Sequence, residues 1–386
     1  MSGRPFLSIP GPTLVPERIT RAMAQPIIDH RGPKFGALVQ DCVAGLARIF
    51  QAERGHVVLY PGSGTGAWEA ALVNTLSPGD RVLAVVNGHF STGFAKVAAA
   101  YGIDVERLDV PYGAGVPVAD VEARLAADRA HELRAVLVVH NETSTGVTSN
   151  VPGVRQALDR TRHPALLLVD TVSSLASIDF RHDEWGVDVT LTGPQKGLML
   201  PPGLAILAVS DKALAASEKA KCPRSYWDWQ PVLERNRRGE FPYTPATLLL
   251  FGLREALAML EEEGLAQVFA RHARLAEACR RAVQGLGLEI LCRTPAEYSN
   301  TLTAVVMPAG FDSDAFVRHA YAKLNFSLGV GLGDVKGKVF RIGHLGSLNE
   351  LELLGALAGV EMMLKDFGVP IRLGAGLAAA EAFLTG

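Results

Sequence analysis

The chain has 386 residues, of which 48% are hydrophobic and 20% charged, and its net charge at pH 7 is -2. This length predicts more than one domain, and the near-neutral charge argues against nucleic acid or an anionic membrane as a partner. No apolar run approaches the ~20 residues that a membrane-spanning helix needs.

The two ends of the chain and its cysteines bear on location. The segment after Met1 has no apolar region of the signal-peptide type, and residues 383–386 are not a peroxisomal signal. The cysteines are far apart and lack the spacing of metal ligands; they are Cys42, Cys222, Cys279 and Cys292. We therefore expect a cytoplasmic protein with reduced thiols and no metal site.

The first two thirds of the chain alternate between strand and helix patterns. Residues 1–20 are rich in Pro and Gly, which predicts an extended N-terminal arm. Beyond them, short β-branched runs alternate with amphipathic runs such as residues 66–76 and 118–127. The predicted strands are Val57–Tyr60, Arg81–Val86, Ala135–His140, Ala165–Asp170, Val187–Thr192 and Leu204–Val209. This alternation predicts an α/β fold, with a mostly parallel, doubly wound sheet in a large domain over residues 21–255.

A different pattern begins near residue 253 and predicts a smaller C-terminal α+β domain over residues 256–386. Its predicted helices cover 253–285, 313–323 and a segment after 348, and its predicted strands cover 288–292, 301–307 and 339–342.

A glycine-rich loop follows the first predicted strand and opens a helix. Residues 62–66 read Gly-Ser-Gly-Thr-Gly, and the central three are Ser63, Gly64 and Thr65. Glycines allow a phosphate to approach the backbone, and the N–H groups and dipole of a helix N-terminus favour an anion. The loop is neither a Walker motif nor a dinucleotide-binding fingerprint. It could equally be a flexible turn with a helix cap.

Lys196 and Asp170 each lie at the end of a predicted buried strand. Ligands of open α/β sheets bind outside the carboxyl ends of the strands. A lysine that forms a Schiff base and an aspartate that pairs with a pyridinium nitrogen are the two groups that pyridoxal 5'-phosphate (PLP) requires. Alternatively, Lys196 is a surface lysine in a turn and Asp170 caps a helix.

Arg341 lies in an apolar, strand-like segment, Phe340–His344, and so needs an anionic partner. Its planar guanidinium suits the carboxylate of a substrate, which it can bind through two parallel hydrogen bonds. A salt bridge between the two domains is the alternative.

These motifs, taken in order, resemble those of the class V aminotransferases of the alanine/serine–glyoxylate group, which are fold-type I PLP enzymes. The resemblance covers nearly the whole chain. It rests on the ordered set Pro10–Thr13, Ser63–Gly66, Glu142–Gly146, Val169–Ser174, Gly193–Lys196 and Arg341–Gly343.

The resemblance implies a role for each site residue. Lys196 would carry the cofactor and Asp170 would pair with its ring nitrogen. The residues that would contact the phosphate and the rest of the ring are Ser63, Gly64, Thr65, Phe90, Thr143 and Gln195. Phe90 occupies the position of a stacking aromatic residue that is often Trp in relatives. Arg341 would bind the substrate carboxylate.

The resemblance also implies a homodimer with shared active sites. In this family the neighbouring subunit completes the phosphate site, and the matching segment here is Phe241–Thr247. Thr244 fits that pattern. Some relatives have Tyr where this chain has Phe241, and Tyr243 is the candidate to replace it.

The activity that the resemblance implies is transfer of an amino group from alanine, serine or aspartate to glyoxylate or pyruvate. Ureidoglycine–glyoxylate and pyridoxamine–pyruvate transamination are alternatives. A PLP lyase or desulfurase is a further one, although no cysteine lies in a Gly/Ser-rich loop as a desulfurase requires.

Overall fold

The computed structural model describes residues 5–386, which form fourteen strands and thirteen α-helices. The strands are β1 (Phe6–Ser8), β2 (His56–Pro61), β3 (Arg81–Val86), β4 (Asp104–Asp109), β5 (Leu133–Val139), β6 (Asn141–Glu142), β7 (Val147–Thr148), β8 (Leu166–Asp170), β9 (Val189–Thr192), β10 (Leu204–Val209), β11 (Glu289–Ile290), β12 (Leu302–Val306), β13 (Phe326–Val330) and β14 (Val339–Gly343). The helices are α1 (Glu17–Met23), α2 (Pro33–Phe50), α3 (Gly64–Thr75), α4 (His89–Ala100), α5 (Val118–Ala127), α6 (Val151–Arg160), α7 (Asp211–Ser217), α8 (Trp229–Asn236), α9 (Thr247–Glu263), α10 (Leu265–Gly285), α11 (Ser313–Leu324), α12 (Glu350–Asp366) and α13 (Ala375–Thr385).

Seven strands form the large sheet, in the order β2-β10-β9-β8-β5-β3-β4. Strand β10 is antiparallel to both of its neighbours, whereas the other paired strands are parallel. The predicted α/β fold with a mostly parallel sheet is confirmed.

Helices cover both faces of this sheet because its strands are apolar on both sides. Along β8, Leu167 and Val169 pack into one core with α2 and α9, and Leu166 and Leu168 pack into the other with α3 and α4. Alternate residues of a strand point to opposite faces, so a strand buried on both sides must be apolar throughout. Asp170 ends this strand on the face that carries α3.

The second sheet is smaller and has the order β1-β13-β14-β12-β11. Strand β1 pairs in parallel with β13, and the remaining pairs are antiparallel. Helices α10 to α13 pack against this sheet through a separate apolar core. Part of the predicted N-terminal arm is therefore a strand of the small sheet.

The structure also differs from the sequence prediction in four strands and one helix. The polar strand β4 at the sheet edge was not predicted, and neither were β13 and the short strands β6 and β7. The single helix predicted over residues 253–285 is two helices, α9 and α10, because Gly264 between them has a φ of 81°. A residue with positive φ cannot continue a right-handed helix.

None of the helices within residues 5–386 combines the length and the apolar character that crossing a bilayer requires.

Candidate active site

A cavity of about 230 Å³ lies at the carboxyl edge of the large sheet. Strands β2, β5, β8 and β9 all end at this edge, and the segments that follow them supply most of its lining. Eight of the predicted site residues line it: Ser63, Gly64, Thr65, Phe90, Thr143, Asp170, Gln195 and Lys196. The fold therefore brings together residues that are up to 133 positions apart (196 - 63).

One end of the cavity is formed by the N-terminus of α3. Ser63 caps this helix, with its Oγ accepting a hydrogen bond from the Gly66 N–H at 3.2 Å. Ser63 and Thr65 are exposed, so their hydroxyls are accessible to a ligand. Gly64 packs against Val172, where a Cβ would lie only 2.8 Å from Val172 Cγ2. This end of the cavity suits an anion, because free N–H groups and the helix dipole meet there.

Asp170 lies in the interior of the cavity and is 3% exposed. Its Oδ1 accepts a hydrogen bond from the Val172 N–H and its Oδ2 accepts one from the indole Nε1 of Trp68, both at 2.7 Å. Burial raises the pKa of Asp170 to about 6, although these two hydrogen bonds lower it. A cationic ring nitrogen would relieve the cost of burying this carboxylate.

Lys196 is 8% exposed and faces the same cavity. Burial, and then the charge of Arg341, lower the pKa of its amine to about 7, whereas Asp170 raises it. The Nζ donates a hydrogen bond to the carbonyl oxygen of Pro10. A lysine with this pKa is partly neutral near pH 7, which is the form that attacks an aldehyde.

The N-terminal arm crosses directly over the lysine. A Cβ at Gly11 would collide with the Lys196 side chain, and the φ of 98° at this position also favours glycine. Thr13 donates its N–H to the Gln195 carbonyl at 3.0 Å and its hydroxyl to the Lys196 carbonyl at 3.3 Å. These contacts hold the arm against the lysine loop and cover one side of the site.

Phe90 lines the cavity from the first turn of α4. The buried carboxylate of Glu142 accepts hydrogen bonds from the N–H groups of Phe90 and Ser91, at 3.3 and 2.9 Å, and so caps this helix. The favourable interaction of an acidic group with a helix N-terminus fixes the position of Phe90.

Arg341 projects from β14 of the small sheet and is 6% exposed. It donates hydrogen bonds to two backbone oxygens, from Nε to Val330 O at 2.9 Å and from a terminal nitrogen to Thr143 O at 2.8 Å. Burial lowers its pKa to about 10. The alternative of a salt bridge is not observed, because no carboxylate pairs with Arg341 within residues 5–386.

Gln195 lies beside the lysine, and its side-chain oxygen is buried without a hydrogen-bond partner in the described part of the chain. A buried polar atom of this kind that faces a cavity indicates a ligand contact.

Tyr243 and Thr244 do not line the cavity of their own chain. The ring of Tyr243 stacks on Tyr226 with 4.7 Å between centroids, and Thr244 is exposed in the segment between α8 and α9. Their predicted contact with the cofactor of a neighbouring subunit stays a prediction.

Sequence reasoning missed three contributors to the site. Trp68 bonds to Asp170 across 102 positions, Glu142 caps the helix of Phe90, and Pro10 accepts a hydrogen bond from the lysine. Glu142 could have been found, because an acidic residue directly after a buried apolar strand needs partners. No local pattern indicates the Trp68 contact, because it depends on how α3 packs against β8.

Comparison with known proteins shows which family the chain resembles along its length. The family model described as aminotransferase class-V matches residues 9–320. An L-aspartate–glyoxylate aminotransferase of Paracoccus denitrificans is 47% identical, with 99% of this chain and 96% of that protein covered. A serine–glyoxylate aminotransferase of Methylorubrum extorquens is 49% identical, with the same two coverages. The crystal structure of ureidoglycine–glyoxylate aminotransferase from Bacillus subtilis superposes with a TM-score of 0.92 at 25% identity, covering 100% of this chain and 99% of that one.

Proposed function

The chain belongs to the class V aminotransferase family and is a PLP-dependent enzyme, and on this basis we propose that it moves an amino group from a small amino acid to glyoxylate. Alanine, serine and aspartate are the proposed donors, and pyruvate is a second acceptor. The observation that carries the proposal is a buried lysine close to Arg341, a buried arginine that has no carboxylate partner within residues 5–386.

The cavity residues fit PLP in charge and shape. The N-terminus of α3, with Ser63, Gly64 and Thr65, would hold the phosphate. Asp170 would pair with the ring nitrogen and Phe90 would stack on the ring. Thr143 would contact the ring hydroxyl and Gln195 would fill the space beside the lysine. When bound, PLP supplies an electron sink that stabilises negative charge at the substrate Cα.

The protein residues then supply binding and proton transfer. Arg341 binds the substrate carboxylate and so orients the Cα hydrogen toward Lys196. With PLP and substrate bound, Lys196 Nζ would take up the Cα proton as a general base, for which a pKa of about 7 is well suited. The arm around Gly11 excludes water from this side of the lysine.

Glyoxylate is proposed as the best acceptor, because the relatives from Paracoccus denitrificans and Methylorubrum extorquens are both named as glyoxylate aminotransferases. Its one carboxylate would bind to Arg341, whose charge lowers the pKa of Lys196.

The alternatives have less support. A pyridoxamine–pyruvate enzyme acts on the free vitamin, which does not need the phosphate-binding end at α3. A desulfurase needs a reactive thiolate, but all four cysteines are buried, none lines the cavity, and burial raises the pKa of Cys42 to about 12 and of Cys279 to about 11. Ureidoglycine is a donor that the same arginine would accept.

We also propose a homodimer in which Tyr243 and Thr244 reach the phosphate site of the partner subunit. Support comes from the exposure of Thr244 in the segment before α9 and from the position of both residues outside their own cavity, although Tyr243 is half-buried against Tyr226. A cytoplasmic location is proposed from the four unpaired cysteines, which fit a reducing compartment.

A spectral half-reaction screen tests the proposed function. The holoenzyme is mixed with each amino acid separately, and conversion of the cofactor to its amino form is followed by absorbance. The product is then mixed with glyoxylate, pyruvate and 2-oxoglutarate. We expect conversion by small donors and the fastest return with glyoxylate. A clear preference for 2-oxoglutarate would overturn the proposed acceptor.

A further inference from the structure

Trp68 contacts Asp170 but has no role in the proposed function. Its indole N–H is the donor to Asp170 Oδ2, and the Val172 N–H is the donor to Oδ1, so each carboxylate oxygen has one hydrogen bond. Trp68 is 7% exposed, and both Trp68 and Asp170 line the cavity.

The indole is held in place by α4. Its ring stacks on Phe94, with 5.6 Å between the centroids and an angle of 16° between the planes. At Gly93 a Cβ would lie 3.2 Å from the far edge of the indole, so a larger residue there would press on the ring. Because α3 carries the indole and α4 confines it, the N–H stays directed at Asp170.

We propose that Trp68 is a positioning residue that orients the Asp170 carboxylate and keeps it charged for the pyridine nitrogen of the cofactor. The inference rests on the PLP-dependent function and names a residue that acts through Asp170. The chemistry requires this help, because a fully buried carboxylate otherwise favours its neutral form, which cannot pair with a protonated ring nitrogen.

The charges around Asp170 show why the indole N–H matters. Glu142 raises the pKa of Asp170 and Lys196 lowers it, and burial has a larger effect than either. The two hydrogen bonds, from Val172 and Trp68, are the next largest influences and both lower the pKa. Loss of the indole N–H leaves Glu142 and Lys196 unchanged and therefore raises the pKa of Asp170 above about 6, into the range where enzymes work.

Trp68→Phe tests this, because phenylalanine keeps an aromatic ring but has no N–H. The probe is pyridoxamine 5'-phosphate, which has no aldehyde and so forms no bond with Lys196. Its affinity for the cofactor-free protein is measured by calorimetry across a pH series. We expect the pH at which affinity is lost to move upward by about one unit, since a hydrogen bond to a charged group has roughly that effect on a pKa.

A second ligand separates this role from packing. An analogue of the probe with carbon in place of the ring nitrogen cannot pair with Asp170, so its affinity should be the same in both proteins. Phe316→Leu is the matched control, because it removes a fully buried aromatic ring from the separate core of the small sheet and leaves the indole in place, and it should lower the melting temperature without moving the pH profile. Equal weakening of both ligands in Trp68→Phe would show that Trp68 only packs, and would overturn the proposal.

Two further measurements keep the test decisive. In an Asp170→Asn background, Trp68→Phe should have no additional effect on the pH profile, because the two residues act as one unit. If the phenylalanine variant does not fold, benzothienylalanine at position 68 replaces the N–H with sulfur at nearly constant shape. An unshifted profile with that residue would overturn the proposal.

The failure of this inference is distinguishable from the failure of the proposed function. A parent protein that binds no pyridoxamine 5'-phosphate would contradict both. A parent that binds the probe and transfers amino groups, alongside a Trp68→Phe profile that does not move, would contradict only the role of Trp68.

Discussion

Lys196 is the residue on which the chemistry depends most directly. Replacing it with alanine should abolish turnover and the cofactor adduct that borohydride traps on the protein, because no other described lysine lines the cavity. Mass spectrometry of the reduced peptides locates the adduct. Lys96→Ala, on the exposed face of α4, is the matched control and should keep both properties. An adduct that persists on another lysine would show that the assignment is wrong.

The depressed pKa of Lys196 also predicts how cofactor capture depends on pH. Because burial lowers the amine pKa from 10.5 to about 7, the neutral form increases as the pH rises through 7. The rate of PLP capture by the cofactor-free protein should therefore rise between about pH 6 and pH 8 and then level off, as stopped-flow absorbance would show. A rate that continues to rise toward pH 10 would indicate an ordinary, solvated lysine.

Asp170 has a chemical role, and burial of its charged form lowers the stability of the fold. Asp170→Asn should fold, since an amide oxygen can still accept the Trp68 hydrogen bond, but activity should fall by orders of magnitude. The folded pKa of about 6 lies above the ordinary value of 3.8. The protonated form therefore stabilises the fold, and this contribution is lost as the pH rises from about 4 through 6.

Asp170→Asn removes the cost of burying a charge, but it also leaves either the Val172 N–H or the Trp68 N–H facing an amide NH2 group. The cofactor-free variant should therefore be about as stable at pH 7 as the parent, which thermal denaturation would measure. Asp188→Asn is a suitable control, because Asp188 is also buried but bonds to the Leu167 N–H, Ser210 and Lys212, away from the cavity. That variant should lose stability and keep the cofactor spectrum. Near-normal turnover in Asp170→Asn would show that Asp170 only caps the backbone that follows it and has no role in the chemistry.

At the scale of elements, the N-terminus of α3 is the proposed phosphate site. Replacing Ser63 and Thr65 together with alanine should weaken PLP binding by about tenfold for each hydroxyl, while binding of unphosphorylated pyridoxal should change little. Ser210→Ala is the control for the loss of a helix cap, because the Ser210 Oγ accepts a hydrogen bond from the Ala213 N–H at the start of α7. Equal losses for PLP and pyridoxal would contradict a phosphate role.

The elements that sequence patterns predicted well are those whose burial is uniform. Strand β3 has the predicted bounds, because five of its six residues are buried and apolar. Strand β4 (Asp104–Asp109) was missed because it lies at the sheet edge and four of its six residues are charged. Strand β13 was missed because it contains Gly329, which packs closely against Arg341 and Pro10. Such strands depend on their partners more than on their own composition.

The candidate site was likewise predictable from the sequence only in part. Residues at the end of a strand or a few positions beyond it, such as Asp170 and Lys196, could be placed at one edge from the rule for parallel sheets. Contacts made by the body of a helix, such as Trp68 to Asp170, could not, because they depend on the rotation of α3 about its axis. The approach of Pro10 to Lys196 likewise depends on β1 joining the small sheet.

At the scale of the whole molecule, the two sheets meet at the cavity. Arg341 reaches from β14 to the Thr143 carbonyl, and the arm runs from β1 to the lysine loop. The position of the small sheet therefore determines where a substrate carboxylate lies relative to Lys196. A movement of one sheet against the other would change substrate binding before it changed cofactor binding.

The last prediction concerns the proposed homodimer. If Thr244 contacts the phosphate of the partner's cofactor, Thr244→Ala should increase cofactor dissociation about tenfold without changing the chemistry of Lys196. A ligand that binds only the assembled form also stabilises it, so the cofactor-free protein should dissociate into monomers at higher concentration than the holoenzyme. Sedimentation of both forms measures this, together with PLP titration of the variant.

Thr294→Ala, at an exposed position outside the cavity, should behave as the parent. A monomer that is fully active at assay concentration would exclude a shared site, because Tyr243 and Thr244 do not line the cavity of their own chain.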